Sequence, residues 1–113
     1  MNSSNMSVWR FVTRRLQLSR KIPNWTVASG YVGDDFLIYG IDDYVLQVEL
    51  LPTGKIVSVS ASDFEVIGRQ WAAYCSGHIP RHTLRDMSRC TKYVISILHE
   101  LGYQPSVCAP RVA

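Results

Sequence analysis

The sequence predicts an α+β fold in which an antiparallel meander of three to four strands carries one N-terminal helix and two C-terminal helices. Residues 25–60 are rich in β-branched and aromatic side chains separated by turn-forming residues, whereas the flanking segments repeat apolar residues at helical spacing. With 113 residues, 47% of them apolar, the chain has the size and composition of one domain with one hydrophobic core.

The first segment is predicted to be a helix over residues 6–20. Three N-cap candidates, Ser3, Ser4 and Asn5, precede apolar residues that recur at intervals of four: Val8, Val12 and Leu16. The same three apolar residues also lie at even spacing, so a strand is the alternative. Pro23 ends the segment, because proline disfavours helical geometry in the residue before it.

The middle of the chain is predicted to form four consecutive strands, the first weaker than the others, at residues 25–32, 36–41, 44–51 and 55–60. Asp42 and Asp43 form one tight turn, and the Pro-Thr-Gly sequence at 52–54 forms a hairpin turn, since proline presets one turn dihedral and glycine accepts positive φ. Alternation in the third strand points four residues inward: Tyr44, Leu46, Val48 and Leu50.

The first C-terminal helix is predicted over residues 62–76. Ser62 and Glu65 fit a capping box, in which the serine oxygen accepts a free helix N–H and the glutamate reaches back to the serine N–H. Gly68 lies on the apolar stripe and would allow close approach to the sheet, and Gly77 marks the end.

The second C-terminal helix is predicted over residues 83–101, with Thr83 and Asp86 as another capping box and Gly102 as its end. Beyond it, residues 103–113 contain two prolines and lack periodicity, so they are predicted to be an irregular tail.

Composition restricts the class of protein. Arg10, Arg14 and Arg15 interrupt every early apolar run, so no signal peptide is expected, and no stretch reaches the roughly 18 apolar residues of a membrane span. Three cysteines, an odd number, do not form a disulfide framework. We therefore expect a cytoplasmic protein with reduced thiols and no membrane partner.

Charge is unevenly distributed along a chain whose net charge is only +3. Residues 1–33 carry five basic and no acidic groups, residues 34–65 carry seven acidic groups and one lysine, and residues 66–113 are again mainly basic. Opposite charges would pair within the chain or between subunits. Because a short meander also leaves edge strands to be covered, a homodimer is predicted.

Aromatic side chains are the leading candidates for a binding site. If the sheet and helices splay apart, phenol and indole groups would line a mostly apolar cavity for a small apolar ligand; the alternative is that they fill the core. The candidates are Trp25, Tyr39, Tyr44, Trp71 and Tyr74. The leading hypothesis is therefore a small non-enzymatic binding or interaction protein.

A basic helix face suggests a second hypothesis, a nucleic-acid-binding module. Its residues would contact phosphates, and two helices joined by a short turn have some likeness to helix-turn-helix geometry: Arg81, Arg85, Arg89 and Lys92. The alternative is an ordinary solvated helix face, which is routinely rich in arginine and here also contains Asp86.

Catalytic and metal chemistry find weaker support. Cys75, His78, His82 and Cys90 are ligand types without the paired spacing of a zinc site, and no phosphate loop or dinucleotide fingerprint is present. The aspartate pairs at 34–35 and 42–43 adjoin glycines, which favours turns. No catalytic residue, metal or cofactor is predicted.

In size and in its lack of functional motifs, with the run from Trp71 to Gly77 followed by that from Ser88 to Leu98, the chain resembles the orphan single-domain proteins of bacterial integron gene cassettes. This resemblance implies a mobile accessory role and favours dimers and ligand-sized cavities. It transfers no fold and no functional residue, because those proteins share neither.

Overall fold

A four-stranded antiparallel sheet, a separate two-stranded hairpin and five helices make up the part of the chain described by the computed structural model, residues 7–51 and 53–104. In chain order the elements are α1 (Ser7–Arg15), β1 (Lys21–Ile22), β2 (Trp25–Thr26), β3 (Gly30–Tyr31), β4 (Phe36–Ile41), β5 (Val45–Leu50), β6 (Ile56–Ser60), α2 (Ala61–Arg69), α3 (Trp71–Cys75), α4 (Arg81–Met87) and α5 (Thr91–Glu100). The predicted mixed class of helix and strand is confirmed.

The predicted meander is confirmed in strands β4, β5 and β6, which pair sequentially in the sheet order β1-β4-β5-β6. Alternate residues on these strands point to the helices and are buried: Phe36, Ile38, Leu46, Val48 and Val59. Tyr44 was expected to face inward and does not. It precedes β5 in the turn, where its carbonyl accepts the Ala61 N–H at 2.7 Å, and its side chain is 68% exposed.

The edge strand next to β4 is β1, not the predicted strand at 25–32, and α1 ends at Arg15 rather than at residue 20. Residues 19 and 20 hydrogen-bond to β4 instead of continuing the helix. The Ser19 N–H donates to the Ile38 carbonyl at 2.7 Å, and the Ile38 N–H donates to the Arg20 carbonyl at 3.0 Å. The predicted N-cap candidates at 3–5 lie outside the described residues.

Residues 25–32 form a small hairpin of their own instead of a strand of the meander. β2 and β3 pair antiparallel, with Trp25 opposite Tyr31 and Thr26 opposite Gly30. Gly30 has a φ of +71°, a left-handed conformation that glycine adopts without a Cβ clash, and it closes the turn between the two strands. The chain therefore reverses inside the segment that the sequence suggested to be one extended strand.

Helix α2 begins one residue earlier than predicted, and its capping box is formed by Ser60 and Asp63 rather than by Ser62 and Glu65. The Asp63 N–H donates to Ser60 Oγ at 3.2 Å, and the Ser60 N–H donates to Asp63 Oδ2 at 3.1 Å. The predicted helix 62–76 is also divided at Gln70 into α2 and α3, two residues after Gly68, which has low helix propensity.

Gly68 allows a close approach, but to helix α1 and not to the sheet. A Cβ atom added to Gly68 would lie 2.5 Å from Cγ2 of Val8, closer than side chains tolerate. Val8 and Val12 are both buried at this helix crossing. The glycine therefore sets the distance between α1 and α2.

The predicted helix 83–101 is two helices, because Ser88 interrupts it and α4 starts earlier, at Arg81, after Pro80. Ser88 is extended and buried, its Oγ donates to Asp63 Oδ1 at 2.8 Å, and it accepts the Cys90 N–H at 3.0 Å. A serine that bonds side chains and backbone in this way stabilises a break more than a continuous helix.

The C-terminal end of α5 agrees with the prediction, since Gly102 follows with a φ of +69°. The last two described residues after it, Tyr103 and Gln104, have no regular structure, and the remainder of the predicted tail lies outside the described residues. Within the described ranges, no helix has the length and apolar character needed to cross a membrane.

Candidate ligand-binding site

A cavity of about 320 Å³ lies between the β2–β3 hairpin and the helices α4 and α5. We call it the hairpin pocket. Its lining residues come from two distant parts of the chain: Asn24, Trp25, Thr26, Val32, Gly33, Arg81 and Lys92. The volume falls at the lower end of the range for small-molecule sites, and the lining combines one indole with several polar groups, as such sites commonly do.

The hairpin is held over the helices by two hydrogen bonds from its backbone to buried side chains. The Trp25 N–H donates to Ser96 Oγ on α5 at 2.9 Å, and the Val27 N–H donates to the Tyr74 hydroxyl on α3 at 3.0 Å. These bonds pair backbone groups of a segment too short to satisfy them within its own two-residue strands. They therefore fix where the hairpin sits.

The indole of Trp25 stacks on the imidazole of His99, with ring centroids 3.7 Å apart and planes within 4° of parallel. His99 Nε2 lies 3.2 Å from the Tyr31 hydroxyl on the opposite strand of the hairpin. Burial lowers the pKa of His99, and the negative charge of Glu100 opposes part of that change. The imidazole of His99 thus joins α5 to both strands of the hairpin.

Asn24 lines the pocket and, in the described part of the chain, has an unpaired acceptor buried behind the pocket surface. Its side chain is only 7% exposed; Nδ2 donates to the Asp34 carbonyl, while Oδ1 is buried without a hydrogen-bond partner among the described residues. An unsatisfied buried polar atom of this kind costs about 1–3 kcal/mol. Asn24 is therefore a polar residue of the pocket that lacks one hydrogen-bond partner within the described ranges.

Arg81 lines the same pocket and, in the part of the chain that the structure describes, has an unpaired donor that is also buried. Its Nε is buried and, within the described ranges, has no hydrogen-bond partner. Burial raises the pKa of the nearby Tyr74 hydroxyl, and the positive charge of Arg81 opposes part of that rise. Lys92 adds a second cation, with its Nζ 5.7 Å from the centroid of the Tyr93 ring. The pocket is thus basic on its helical side.

A second cavity, of about 300 Å³, adjoins the hairpin pocket and shares three lining residues with it, Asn24, Gly33 and Lys92. We call it the acidic pocket, because Asp34 and Asp35 line it. Its remaining wall consists of Phe36, Leu50, Leu51, Thr53 and Tyr93. Side chains of opposite charge therefore lie on the two sides of Asn24.

Only one of the five predicted aromatic residues lines the hairpin pocket, namely Trp25. Trp71 and Tyr74 are buried beside it, at centroid distances of 6.4 Å and 6.5 Å from Trp25. Tyr39 is 57% exposed on the sheet, away from the helices. Tyr44 lines a different, wide cavity at the start of α2, together with Ser62 and Arg69 among others. The five thus do not form a single aromatic cage.

The four predicted phosphate-contacting residues separate in the same way. Arg81 and Lys92 line the hairpin pocket, whereas Arg85 and Arg89 are exposed and do not line it. The break at Ser88 ends the single helix face on which the four were expected to lie. The hairpin pocket therefore contains Trp25, which was predicted to bind an apolar ligand, together with Arg81 and Lys92, which were predicted to contact phosphates.

The other residue types considered for chemistry do not come together. Among the described residues no group of three or more His, Cys, Asp and Glu side chains is placed to hold a metal ion. Cys75 is exposed, and Cys90 donates from Sγ to the Ser58 carbonyl at 3.4 Å. Asp42 has the expected turn role, since its Oδ1 accepts the Asp43 N–H at 2.7 Å.

Asn24 and His99 were not anticipated from the sequence. Asn24 follows a proline and has the features of an ordinary loop residue. His99 lies near the end of a predicted helix, where a histidine commonly interacts favourably with the helix dipole. Nothing in the sequence indicates that Asn24 would line the pocket or that His99 would stack on Trp25.

Comparison with family models, with curated proteins and with solved structures finds no match to the chain. The resemblance to integron cassette proteins stays a prediction.

Proposed function

We propose that this protein is a non-enzymatic binding protein for a small anionic molecule, and that the ligand occupies the hairpin pocket. One observation carries the proposal. Asn24 and Arg81 both line one pocket, and each has a buried polar atom, Asn24 Oδ1 and Arg81 Nε, without a hydrogen-bond partner among the described residues. A ligand that offers one donor and one acceptor would satisfy both atoms once the two side chains turn toward it.

The charge of the pocket supports an anion. Arg81 and Lys92 both line it, and no acidic side chain is among its lining residues. Charge-assisted hydrogen bonds from arginine to a carboxylate or phosphate are about twice as strong as neutral ones. The indole of Trp25 lines the pocket beside these cations, which favours a ligand that also carries an apolar or aromatic part.

The proposal refines the apolar ligand expected from the sequence into one with an anionic end. It is tested with two simple probes, 3-phenylpropionate and phenyl phosphate, added to the full chain and followed by isothermal titration calorimetry. We expect at least one probe to bind. Arg81→Gln should weaken that binding about tenfold, which corresponds to about 1.4 kcal/mol.

Arg85→Gln is the matched control, because Arg85 belongs to the same helix and does not line the pocket. It should leave affinity within about twofold of the wild type, since an exposed charge outside the pocket is largely screened. Absence of binding by both probes, or equal loss in the two variants, would contradict the proposal.

The exposed cations Arg85 and Arg89 distinguish the alternative hypothesis, a nucleic-acid-binding module, from an anion site in the hairpin pocket. Arg85 and Arg89 make no ion pair within the described ranges and could still contact phosphates. A mixed-sequence oligonucleotide at low salt is the probe. Two results together would favour this alternative. The wild type would bind the oligonucleotide but neither 3-phenylpropionate nor phenyl phosphate, and the Arg85→Glu, Arg89→Glu double variant would no longer bind the oligonucleotide.

We also propose the homodimer that the charge pattern predicts. Strand β6 forms one edge of the four-stranded sheet, and an uncovered edge presents unpaired backbone groups to a second chain. Sedimentation velocity at several micromolar concentrations tests this assembly. A sedimentation coefficient that stays at the monomer value throughout would remove it.

A further inference from the structure

We infer that the ligand is a small zwitterion of the amino-acid class, whose anionic group lies in the hairpin pocket and whose ammonium group faces the acidic pocket. The inference rests on the proposed function and adds the second half of the ligand. It is built from the boundary between the two cavities, where Asn24, Gly33 and Lys92 line both.

The two cavities differ in net charge. Arg81 lines only the hairpin pocket, Asp34 and Asp35 line only the acidic pocket, and Lys92 lines both. Neither aspartate makes an ion pair in the part of the chain that the structure describes. Because Lys92 alone cannot balance both carboxylates, a ligand with an ammonium group close to its anionic group would complement both sides of the boundary.

Asn24 fixes the direction of the ligand's donor. Its Nδ2 already donates to the Asp34 carbonyl, so the side chain is anchored toward the acidic pocket and only Oδ1 is left to accept. An ammonium group carries three N–H donors, enough for an aspartate carboxylate and, once the Asn24 amide turns toward the ligand, for Asn24 Oδ1 as well. A ligand without a donor would leave Oδ1 unsatisfied in a wall that is nine-tenths buried.

The size and the shared wall agree with a molecule of this kind. Each cavity has a volume of about 300 Å³, and Thr53 and Tyr93 add hydroxyl groups to the acidic pocket. A ring or chain attached to the carbon that bears the ammonium group would lie along Trp25. These features identify a class of ligand, not one compound.

Three matched probes separate the two halves of the ligand. L-Phenylalanine carries both charges, 3-phenylpropionate lacks the ammonium and phenethylamine lacks the carboxylate. Calorimetric titration of the full chain should show phenylalanine binding at least about tenfold more tightly than 3-phenylpropionate. Phenethylamine should bind more weakly than phenylalanine, with no dependence on Arg81.

The Asp34→Asn, Asp35→Asn double variant should remove the advantage of phenylalanine without weakening the binding of 3-phenylpropionate, because it takes two negative charges away from the anion site. Asp42→Asn, Asp43→Asn is the control, because it removes two charges from a turn outside both cavities. Thermal melting of each variant checks that its fold is intact.

The results distinguish the inference from the proposed function. Equal binding of phenylalanine and 3-phenylpropionate, with the Arg81 dependence retained, would overturn the zwitterion and keep the anion site. A phenylalanine preference that survives Asp34→Asn, Asp35→Asn would overturn the role of the acidic pocket. Failure of all probes would overturn both proposals.

Discussion

Glu65 Oε2 accepts a hydrogen bond from the backbone N–H of Trp9 at 2.8 Å, so a carboxylate on α2 caps the N-terminus of α1. The first turn of α1 contains no acidic residue of its own. A negative charge from another helix therefore supplies the favourable interaction with the helix dipole that local sequence usually provides. Glu65 is buried, and this burial raises the pKa of its carboxyl group.

Replacement of Glu65 should separate the acceptor from the charge. Glu65→Ala leaves the Trp9 N–H unpaired and should lower the free energy of unfolding by about 1–3 kcal/mol. Glu65→Gln keeps an oxygen acceptor and should lie within about 1 kcal/mol of the wild type. Urea unfolding at neutral pH measures both. A glutamine variant as unstable as the alanine variant would show that the charge itself is required.

The same residue predicts a pH dependence. Burial raises the pKa of Glu65 above its usual 4.5 in spite of the Trp9 hydrogen bond, so the folded state holds the proton more strongly than the unfolded state does; the corresponding stability is full below that value and is lost as the pH rises. Wild type should therefore lose stability relative to Glu65→Gln between about pH 4 and pH 7. Paired urea titrations across this range check the sign.

Gly68 should not tolerate a methyl group. Gly68→Ala would place Cβ 2.5 Å from Val8 Cγ2, and such overpacking costs about 1–3 kcal/mol even though alanine is the better helix former. The Val8→Ala, Gly68→Ala double variant makes room for the methyl group and should be more stable than the sum of the single changes predicts. Additive losses in chemical denaturation would mean that the two residues do not meet.

Ser60 and Ser62 give a matched pair for the capping box. Ser60→Ala should cost about 1 kcal/mol, because Ser60 Oγ accepts the Asp63 N–H at the start of α2. Ser62→Ala should stay within about 0.5 kcal/mol, since among the described residues the exposed Ser62 side chain bonds only to the Ser60 hydroxyl. Thermal denaturation ranks them, and the reverse order would restore Ser62 as the cap.

His99 should make the hairpin sensitive to mild acid. Because its pKa is lowered below 6.5, the neutral form is favoured in the folded state, and stability falls as the pH drops below that value. The fall in Tm between about pH 7.5 and pH 5 should be larger for wild type than for His99→Gln. His82→Gln is the control on an exposed histidine and should behave as the wild type.

The sequence predicted those parts of the fold that are set by neighbouring residues. The turns before β5 and β6 and the alternation of apolar residues lie within a few positions of each other, so β4, β5 and β6 were found with small errors at their ends. The helix break at Ser88 and the strand β1 were not predicted, because the residues that stabilise them are distant in sequence. Ser88 bonds to Asp63, and β1 exists through its pairing with β4.

The site was predicted only in fragments for the same reason. Trp25, Arg81 and Lys92 were each singled out, but under two separate hypotheses, because their proximity depends on contacts such as Trp25 to Ser96 that span 71 positions. Asn24 could not be found at all. Asn24 is a candidate because it is buried and because its Oδ1 has no hydrogen-bond partner among the described residues, and neither property can be inferred from residue type.

The pocket takes its walls from two segments, around residues 24–33 and residues 81–92, and this has a consequence for the order of folding. During synthesis the whole meander is complete once Ser60 has been made, before the hairpin's anchors Tyr74 and Ser96 exist. The ion pair of Arg20 with Glu100, at 3.0 Å, likewise needs a residue that is synthesised after the meander. A ligand that binds between these segments would therefore recognise only finished chains and would stabilise them against unfolding.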